Sequence, residues 1–553
     1  MGQKTHPAQR TQKIVHFRGD VSDSPRALDL ASRDTSLFEV RPALVVYPKD
    51  AADLKILVKH AAAERRAGAG VSLTARSGGS DMTGGPLTES IVVDFTRYFN
   101  HLKKIGRGFA VVEPGVFYRD FERATLKANL LLPCYPASRE MCTLGGMIAN
   151  NAGGEKTLRY GKTEQYVEAL KVVLADGNEY TFRALSEHEL AAKQRQENFE
   201  GEVYRKMHAL ILDNWPAITA AKPKVSKNSA GYCLWNVWDF TARKFDLTKL
   251  FTGAQGTLGF ITEARLKLVR PHRHSRMLVV FLRELAPLPK IINHILDFQP
   301  DSFESYDDHT FHVAVKLFPE IARRLRGGLL TMAVRFLPEF WAALSGGIPK
   351  MVLLVEFTGD KEQEVLARAR EARDSLREFR HLKTRLTLSS EEGEKYWVIR
   401  RESFNLLRHH IKKLHTAPFI DDLIVRPEQL PRFLPRLYEI LDGYNIVYTV
   451  AGHVGDANFH IIPLMDFRAR DFRKTIVEIT ERVYDLVFAF GGSMTAEHND
   501  GLIRSPYLEK MYGPEIYKLF VETKKIFDPL GIFNPGKKVG ASLDFALEHI
   551  KRS

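Results

Sequence analysis

"TLGGMIANNAGGEKTLRYGKTEQYVEALKVVLADG", Thr143 to Gly177, sets two glycine pairs, Gly145-Gly146 and Gly153-Gly154, on either side of Asn150 and Asn151 and follows them with Tyr160-Gly161. Asparagine beside glycine is, alone, ordinary turn chemistry. Here it has company. Upstream, "TARSGGSDMTGGP", Thr74 to Pro86, follows the strand-like "VSL" and offers consecutive backbone N–H groups free of side chains. Such a nest can cradle a pyrophosphate, and Arg76 adds charge. The loop is neither a Rossmann G-x-G-x-x-G opening a helix nor a Walker loop, because it carries no Gly-Lys-Ser/Thr.

Outward from these clusters, short β-rich runs alternate with helical ones: "ALVVYP", "AADLKILVKHAAAERRA", "VSLTA", "SIVVDF" and "FAVVEPG". The pattern predicts mixed α and β rather than a strict βαβ array, closed by the strand "GFITEARLKLV", with a boundary near Pro271. A second α+β unit is expected from "KMVLLVEFTG" onward, with strands at "NIVYTVAGH" and "ANFHIIPLM". The 553 residues, 44% hydrophobic and 27% charged, suffice for two or three globular domains. No apolar run reaches the roughly 18 to 20 residues that span a bilayer. The N-terminal stretch is read as a solvated lead-in without a secretion core or a myristoylation signal.

Three cysteines, Cys134, Cys142 and Cys233, in no Cys-x-x-Cys spacing, argue against a disulfide framework, an iron–sulfur cluster or a zinc knuckle. They point to a reducing compartment, the cytoplasm. The net charge of +13 suits anionic surfaces or acidic substrates, and no nucleic-acid module accompanies it.

"TVAGHVGDANFHIIP", Thr449 to Pro463, places His453 and His460 on adjacent strand ends joined by a turn. Two neutral imidazoles can hold a divalent metal, zinc or manganese, if a third ligand arrives from elsewhere. "GGSMTAEHNDG", Gly491 to Gly501, offers Glu497 and His498 for that place.

The two glycine clusters together resemble the FAD-binding half of the vanillyl-alcohol-oxidase (PCMH) type flavoproteins, and "KNSAGYCLW" (Lys227 to Trp235) and "LFTGAQGTLGFITEARLKL" (Leu250 to Leu268) match the end of that domain. The later motifs resemble the C-terminal domain of the FAD-linked 2-hydroxy acid dehydrogenases, which include D-lactate, D-2-hydroxyglutarate and glycolate enzymes. These motifs are Gly452-His453-x-Gly455-Asp456-Ala457-Asn458-x-His460, Glu497-His498-Asn499-Asp500-Gly501 and "DPLGIFNPGK", Asp528 to Lys537. The resemblance implies an α+β chain: a lead-in at 1–37, a two-subdomain FAD-binding domain at 38–272, and an α+β substrate (cap) domain with an antiparallel sheet at 273–545. It also implies which residues meet the cofactor. Arg76, Ser77, Gly78, Gly79 and Ser80 should wrap the pyrophosphate. Thr143, Gly145, Gly146, Asn150, Asn151, Gly153, Gly154, Tyr160 and Gly161 should line FAD, Ile261 should meet its adenine half, and Asn534 should face the flavin. Members with covalent FAD carry His where this chain has Ser80, so noncovalent FAD is expected.

By the same resemblance His453, His460 and Glu497 are the metal ligands, His498 is the catalytic base, Asn458 orients the substrate, and Arg400 in "EKYWVIRRESF" binds its carboxylate. Ala457 and Asn499 replace family glycines; Asn tolerates the left-handed region better than Ala does. Ser403 or Phe404, and Ile420, stand where some members place further clamp groups, so the particular acid stays open. The reaction implied is oxidation of a D-2-hydroxy acid to the 2-oxo acid with hydride transfer to flavin N5. Two other readings are an ether-lipid synthase of the alkyl-dihydroxyacetonephosphate type and an electron-transfer flavoprotein subunit. Electrons should pass to a quinone, a cytochrome or an iron–sulfur partner. The apolar and basic insert at 311–350 should either pack as a helical insert or touch the inner membrane face as a peripheral contact.

Overall fold

The computed structural model describes residues 16–308, 349–379, 382–394, 396, 397, 400, 414–444 and 446–551. The insert at 311–350, apart from residues 349 and 350, lies outside the described residues together with the expectations placed on it, and so do positions 403 and 404.

Among the described residues the strands form four sheets. The first comprises β1 (Asp20–Ser22), β2 (Leu44–Tyr47), β3 (Leu73–Arg76) and β4 (Ile91–Asp94) in the order β1-β2-β4-β3, with β4 parallel to both β2 and β3. Its inner strands read as nearly unbroken apolar runs, "LVVY" and "IVVD", as strands covered on both faces do. The helix Ala51–Arg66 covers one face with Leu54, Leu57, Val58, Ala61 and Ala62. Asp50 starts it by accepting from the backbone N–H groups of Ala52 and Asp53.

The second sheet holds β5 (Leu102–Gly106), β6 (Phe109–Val112), β7 (Val167–Val173), β8 (Glu179–Arg183) and, beyond a small ribbon of β9 (Leu185–Ser186), β10 (Trp238–Asp239) and β11 (Lys244–Phe245), the closing strand β12 (Phe260–Lys267). The glycine-rich stretch between β6 and β7 forms the helix Leu144–Asn150. Thr143 caps its start and Asn151, at φ +51°, ends it in the left-handed region where asparagine is a common stop. The turn chemistry of Asn151 is therefore present, and it serves as a helix terminator.

After β12 the chain enters a third large sheet: β13 (His274–Leu282), β14 (Ser302–Asp307), β15 (Met351–Gly359), β16 (Lys383–Leu386), β17 (His415–Thr416), β18 (Leu423–Ile424), β19 (Val447–His453) and β20 (Asn458–Met465). Its pairs are all antiparallel. β14 is buried at every position, so any charged side chain on it must be paired. β19 and β20 are joined by a single 3-10 turn, Val454–Asp456, and by Ala457 at φ +53°. A left-handed alanine costs on the order of 1 kcal/mol or more. The chain bears it at a position that is fully buried.

Candidate active site

A cavity of about 330 Å³ runs from the loop after β3, along the helix Leu144–Asn150, to the ends of β14, β19 and β20. Seven glycines face it, Gly79, Gly85, Gly145, Gly146, Gly153, Gly256 and Gly259, so much of its wall is bare backbone. Two of them are glycine for closeness rather than for φ. A Cβ on Gly146 would stand 2.7 Å from Ser77 Oγ, and one on Gly153 would stand 2.7 Å from Glu497 Oε2. Any larger residue at Gly153 would meet the Glu497 carboxylate first and displace it.

Of the residues expected at the cofactor, Arg76, Ser77, Gly79, Ser80, Gly145, Gly146, Asn150, Gly153 and Ile261 line this cavity. Gly78, Thr143, Asn151, Gly154, Tyr160, Gly161 and Asn534 are not among the residues that line it. Gly78 and Gly154 pack on the carbonyls of Met141 and Tyr135, the Tyr160 carbonyl accepts from Tyr166 Oη at 2.8 Å, and Asn534 donates to the carbonyls of Gly85 and Gln255 at 3.0 and 2.7 Å. Arg76 is tied down too. Its guanidinium donates to the carbonyls of Leu30, Ala31 and Arg33, pinning the lead-in to the glycine loop. A long glycine-walled cleft with hydroxyls at one end and apolar side chains at Met147 and Leu258 fits FAD.

At the far end, three imidazoles and five acids meet. His453 Nε2 lies 2.7 Å and His460 Nε2 3.6 Å from the same oxygen, Glu497 Oε1. The other ring nitrogens are held from behind by carboxylates, His453 Nδ1 by Glu304 at 2.6 Å and His460 Nδ1 by Asp421 at 3.1 Å. That is the arrangement in which a metal-binding histidine is oriented by an acid on its far nitrogen. Lys227 Nζ stands 3.2 Å from Glu497 Oε2 and 3.4 Å from Asp456, which engages the second oxygen and leaves Oε1 to the imidazoles. Asp422, His460, Glu497 and His498 also bring ligand atoms within 4.8 Å of one another, so the acid of this loop and its histidines converge on one volume. This donor set of imidazole and carboxylate fits a divalent ion such as zinc or manganese.

His498 stacks on His460, with ring centroids 4.8 Å apart and planes 13° from parallel. Its Nδ1 lies at ion-pair distance, 2.8 Å, from Asp421 Oδ2, and His498 lines the cavity. Burial alone would lower its pKa, but the carboxylates of Asp421 and Asp422 outweigh that and hold it up at about 9. Burial would likewise raise Glu497, and the cations His453 and Lys227 hold it well below the usual range. Arg400, 9% exposed at its side chain, forms an ion pair of 2.5 Å with Glu304 and lines the cavity, with its Nε buried and unpartnered. Asn458 is fully buried, its amide nitrogen donating to Asp422 at 3.0 Å and to the Leu423 carbonyl at 3.1 Å, which braces it beside the site, while its Oδ1 has no partner among the described residues.

Several members of this site carried no motif. Asp422, at φ +74°, accepts from the backbone N–H groups of Glu497 and His498 and from Thr495 Oγ1, and so fixes the loop that bears both. Arg504, 1% exposed, holds the carbonyls of Met494, Asn499 and Asp421. Asn499 takes the left-handed conformation at φ +72° and its amide donates to the carbonyls of Asn150 and Gly253, 3.1 and 2.9 Å away. The replaced glycine thus stitches the two halves together. A signal for Asp421 and Asp422 was present: two acids inside the apolar run "FIDDLIV" must be paired if the run is buried. Glu304, in "SFESYDD", had none.

The family of the FAD binding domain matches residues 42–183, and that of the FAD linked oxidases, C-terminal domain, matches residues 272–538. Among curated relatives, the chain is 27% identical to D-2-hydroxyglutarate dehydrogenase from Pseudomonas putida over 94% of this chain and 50% of that protein. It is 25% identical to glycolate oxidase subunit GlcD from Bacillus subtilis over 91% of this chain and 90% of that one. The chain thus spans about half the length of the first of these relatives. The solved structure of p-cresol methylhydroxylase with substrate bound superposes at a TM-score of 0.68 and 14% identity, covering 97% of each chain, which shows the fold alone. With the flavin-half glycine loops and the His-Glu-His cluster on one cavity, and both family matches in the same order along the sequence, the chain belongs to the FAD-linked oxidases, an FAD binding domain followed by an FAD linked oxidase C-terminal domain.

Proposed function

We propose that the protein oxidises a D-2-hydroxy acid of the lactate, 2-hydroxyglutarate or glycolate class to the 2-oxo acid. The observation that carries this reading is one cavity with the flavin loops along its length and Arg400, His498 and the His453–His460–Glu497 cluster at its end. Bound there, FAD would supply the hydride acceptor N5, and a divalent ion on His453, His460 and Glu497 would supply positive charge for the substrate oxygen.

The chain's own residues do the rest. Arg400 presents a planar guanidinium that suits the substrate carboxylate and fixes C2 against the cavity wall. His498 takes the hydroxyl proton on Nε2 as the C2–H hydride departs and the C=O bond forms. Asp421, 2.8 Å from Nδ1, holds the ring and stabilises the imidazolium that results. The carboxylates of Asp421 and Asp422 favour the charged ring, and a divalent ion held on the neighbouring cluster would favour the neutral ring that proton abstraction needs. The electron acceptor in this reading would be a quinone, a cytochrome or an iron–sulfur partner. Anaerobic bleaching of the flavin by a 2-hydroxy acid tests the reading as a whole, and separates it from an electron-transfer subunit with no substrate of its own. The carboxylate clamp and the complete cluster favour it over an alkyl-dihydroxyacetonephosphate synthase, which effects no net oxidation.

The same reading divides the chain near residue 272. In its support, β12 ends at Lys267 in one sheet and β13 begins at His274 in another. FAD is held without a covalent bond in this account, because the cavity-lining Ser80 has no nucleophile of the kind histidine provides. Acid precipitation should release all the flavin to the supernatant; yellow colour in the washed pellet would contradict this.

The metal gives its own expectation. Chelation followed by desalting should remove a stoichiometric divalent ion and turnover together, while the absorbance of bound FAD remains. Active protein with no such ion by elemental analysis would refute the metal site.

A further inference from the structure

Glu304 lies at the third position of β14 and is 1% exposed. Ser305 pairs with Gly452 across β14 and β19, which brings Glu304 beside His453. Its two oxygens go to different partners: Oε1 meets His453 Nδ1 at 2.6 Å, and Oε2 meets Arg400 Nη2 at 2.5 Å. One buried carboxylate therefore touches both a candidate metal ligand and the candidate carboxylate clamp.

Burying a carboxylate is costly unless it is fully paired, and a strand in the middle of a sheet offers no room for it to move. The pairing fixes more than charge. An acceptor on Nδ1 places the ring proton there and leaves Nε2 as the ligating nitrogen, the one that faces Glu497. The same acceptor holds the guanidinium of Arg400 at a set distance from that imidazole. Substrate carboxylate and hydroxyl sit on adjacent carbons, so clamp and metal must keep a constant separation for both to be engaged at once.

We propose that Glu304 is a positioning residue that locks His453 and Arg400 into one unit, setting the metal-facing nitrogen of the first and the place of the second. This rests on the proposed function and on a metal at the His453–His460–Glu497 cluster. It acts through its two partners and has no contact with the reacting atoms.

The test uses FAD-loaded full-length protein, stripped of metal and titrated with zinc alone against a chromogenic chelator. Glu304→Ala should weaken zinc binding by about 10- to 100-fold, the usual effect of removing an acid behind a ligating histidine. Glu304→Gln keeps an oxygen to accept from Nδ1–H and should restore most of the zinc affinity. Its neutral amide no longer pairs with the guanidinium, so the 2-hydroxy acid concentration giving half-maximal flavin reduction should rise while the limiting rate changes less. FAD content and circular dichroism report whether each variant is folded. Zinc affinity in folded Glu304→Ala equal to wild type would overturn the proposal, as would Glu304→Gln with an unchanged or lower half-saturating concentration. Wild-type protein that takes up no zinc would overturn it along with the metal site. Wild-type flavin that no 2-hydroxy acid reduces would instead overturn the functional reading on which it rests.

Discussion

Replacing His498 by alanine slows reduction of the flavin by a 2-hydroxy acid at least about a hundredfold and leaves FAD bound, since loss of a general base typically removes a factor of about a hundred to ten thousand. The expectation comes from position as much as from residue type. The ring is stacked on His460, its Nδ1 is taken by Asp421, and its backbone N–H is held by Asp422 at 2.7 Å, so it enters the cavity in one orientation. Among the described residues no hydrogen bond ties it to the glycine loops, so the cofactor cleft survives the change. Stopped-flow absorbance of the oxidised flavin under anaerobic conditions, at saturating substrate, measures the step. A reduction rate within a few-fold of wild type would remove His498 from the mechanism.

Arg400→Ala acts on binding. Truncating one partner of a buried charge pair costs on the order of 2 to 5 kcal/mol, or about 30-fold to several thousandfold in affinity. Part of that loss is the carboxylate of Glu304, which remains buried with one partner fewer. Arg400→Lys should recover only part of it, because an ammonium cannot replace the planar fork on two carboxylates at once. The half-saturating substrate concentration for flavin reduction reads the effect. An unchanged value would place the substrate carboxylate elsewhere.

How far the sequence carried this site differs by segment, and for physical reasons. The glycine clusters were legible because backbone approach leaves only one residue type that fits: a Cβ on Gly78 or Gly154 would collide with the backbone carbonyl oxygen of Met141 or Tyr135. The hairpin was legible because "NIVYTVAGH" and "ANFHIIPLM" alternate as strands and bracket a tight turn, which became β19 and β20. The brackets behind the site were not. Glu304, Asp421 and Asp422 act across sequence separations of 149, 39 and 76 residues to His453, His460 and His498, so even where two acids stand out, as in "FIDDLIV", nothing local says which group each one pairs with. Arg76 and Asn534 illustrate the reverse. Their motifs were plain, yet their side chains are spent on carbonyls that hold the lead-in and the last loop to the flavin half.

The architecture also explains why the two halves need one another. Lys162, buried, donates to the Asn228 and Ala496 carbonyls and to Ser229 Oγ, and Lys538 pairs with Asp500 at 2.8 Å while donating to the carbonyls of Ser229 and Gly231. These buried cations fasten the loop of Glu497 and His498 to the segment "KNSAGYCLW" from the flavin half. The candidate base and ligands are thereby fixed against the cofactor cleft rather than against the third sheet alone.

The most direct measurement is anaerobic titration of the purified yellow protein with D-lactate, D-2-hydroxyglutarate and glycolate, following the absorbance of oxidised flavin. Bleaching by at least one of the three, with the matching 2-oxo acid formed in one-to-one ratio to the flavin reduced, is the predicted result. Flavin that stays oxidised in all three, in protein that holds its full complement of FAD and metal, would contradict the account.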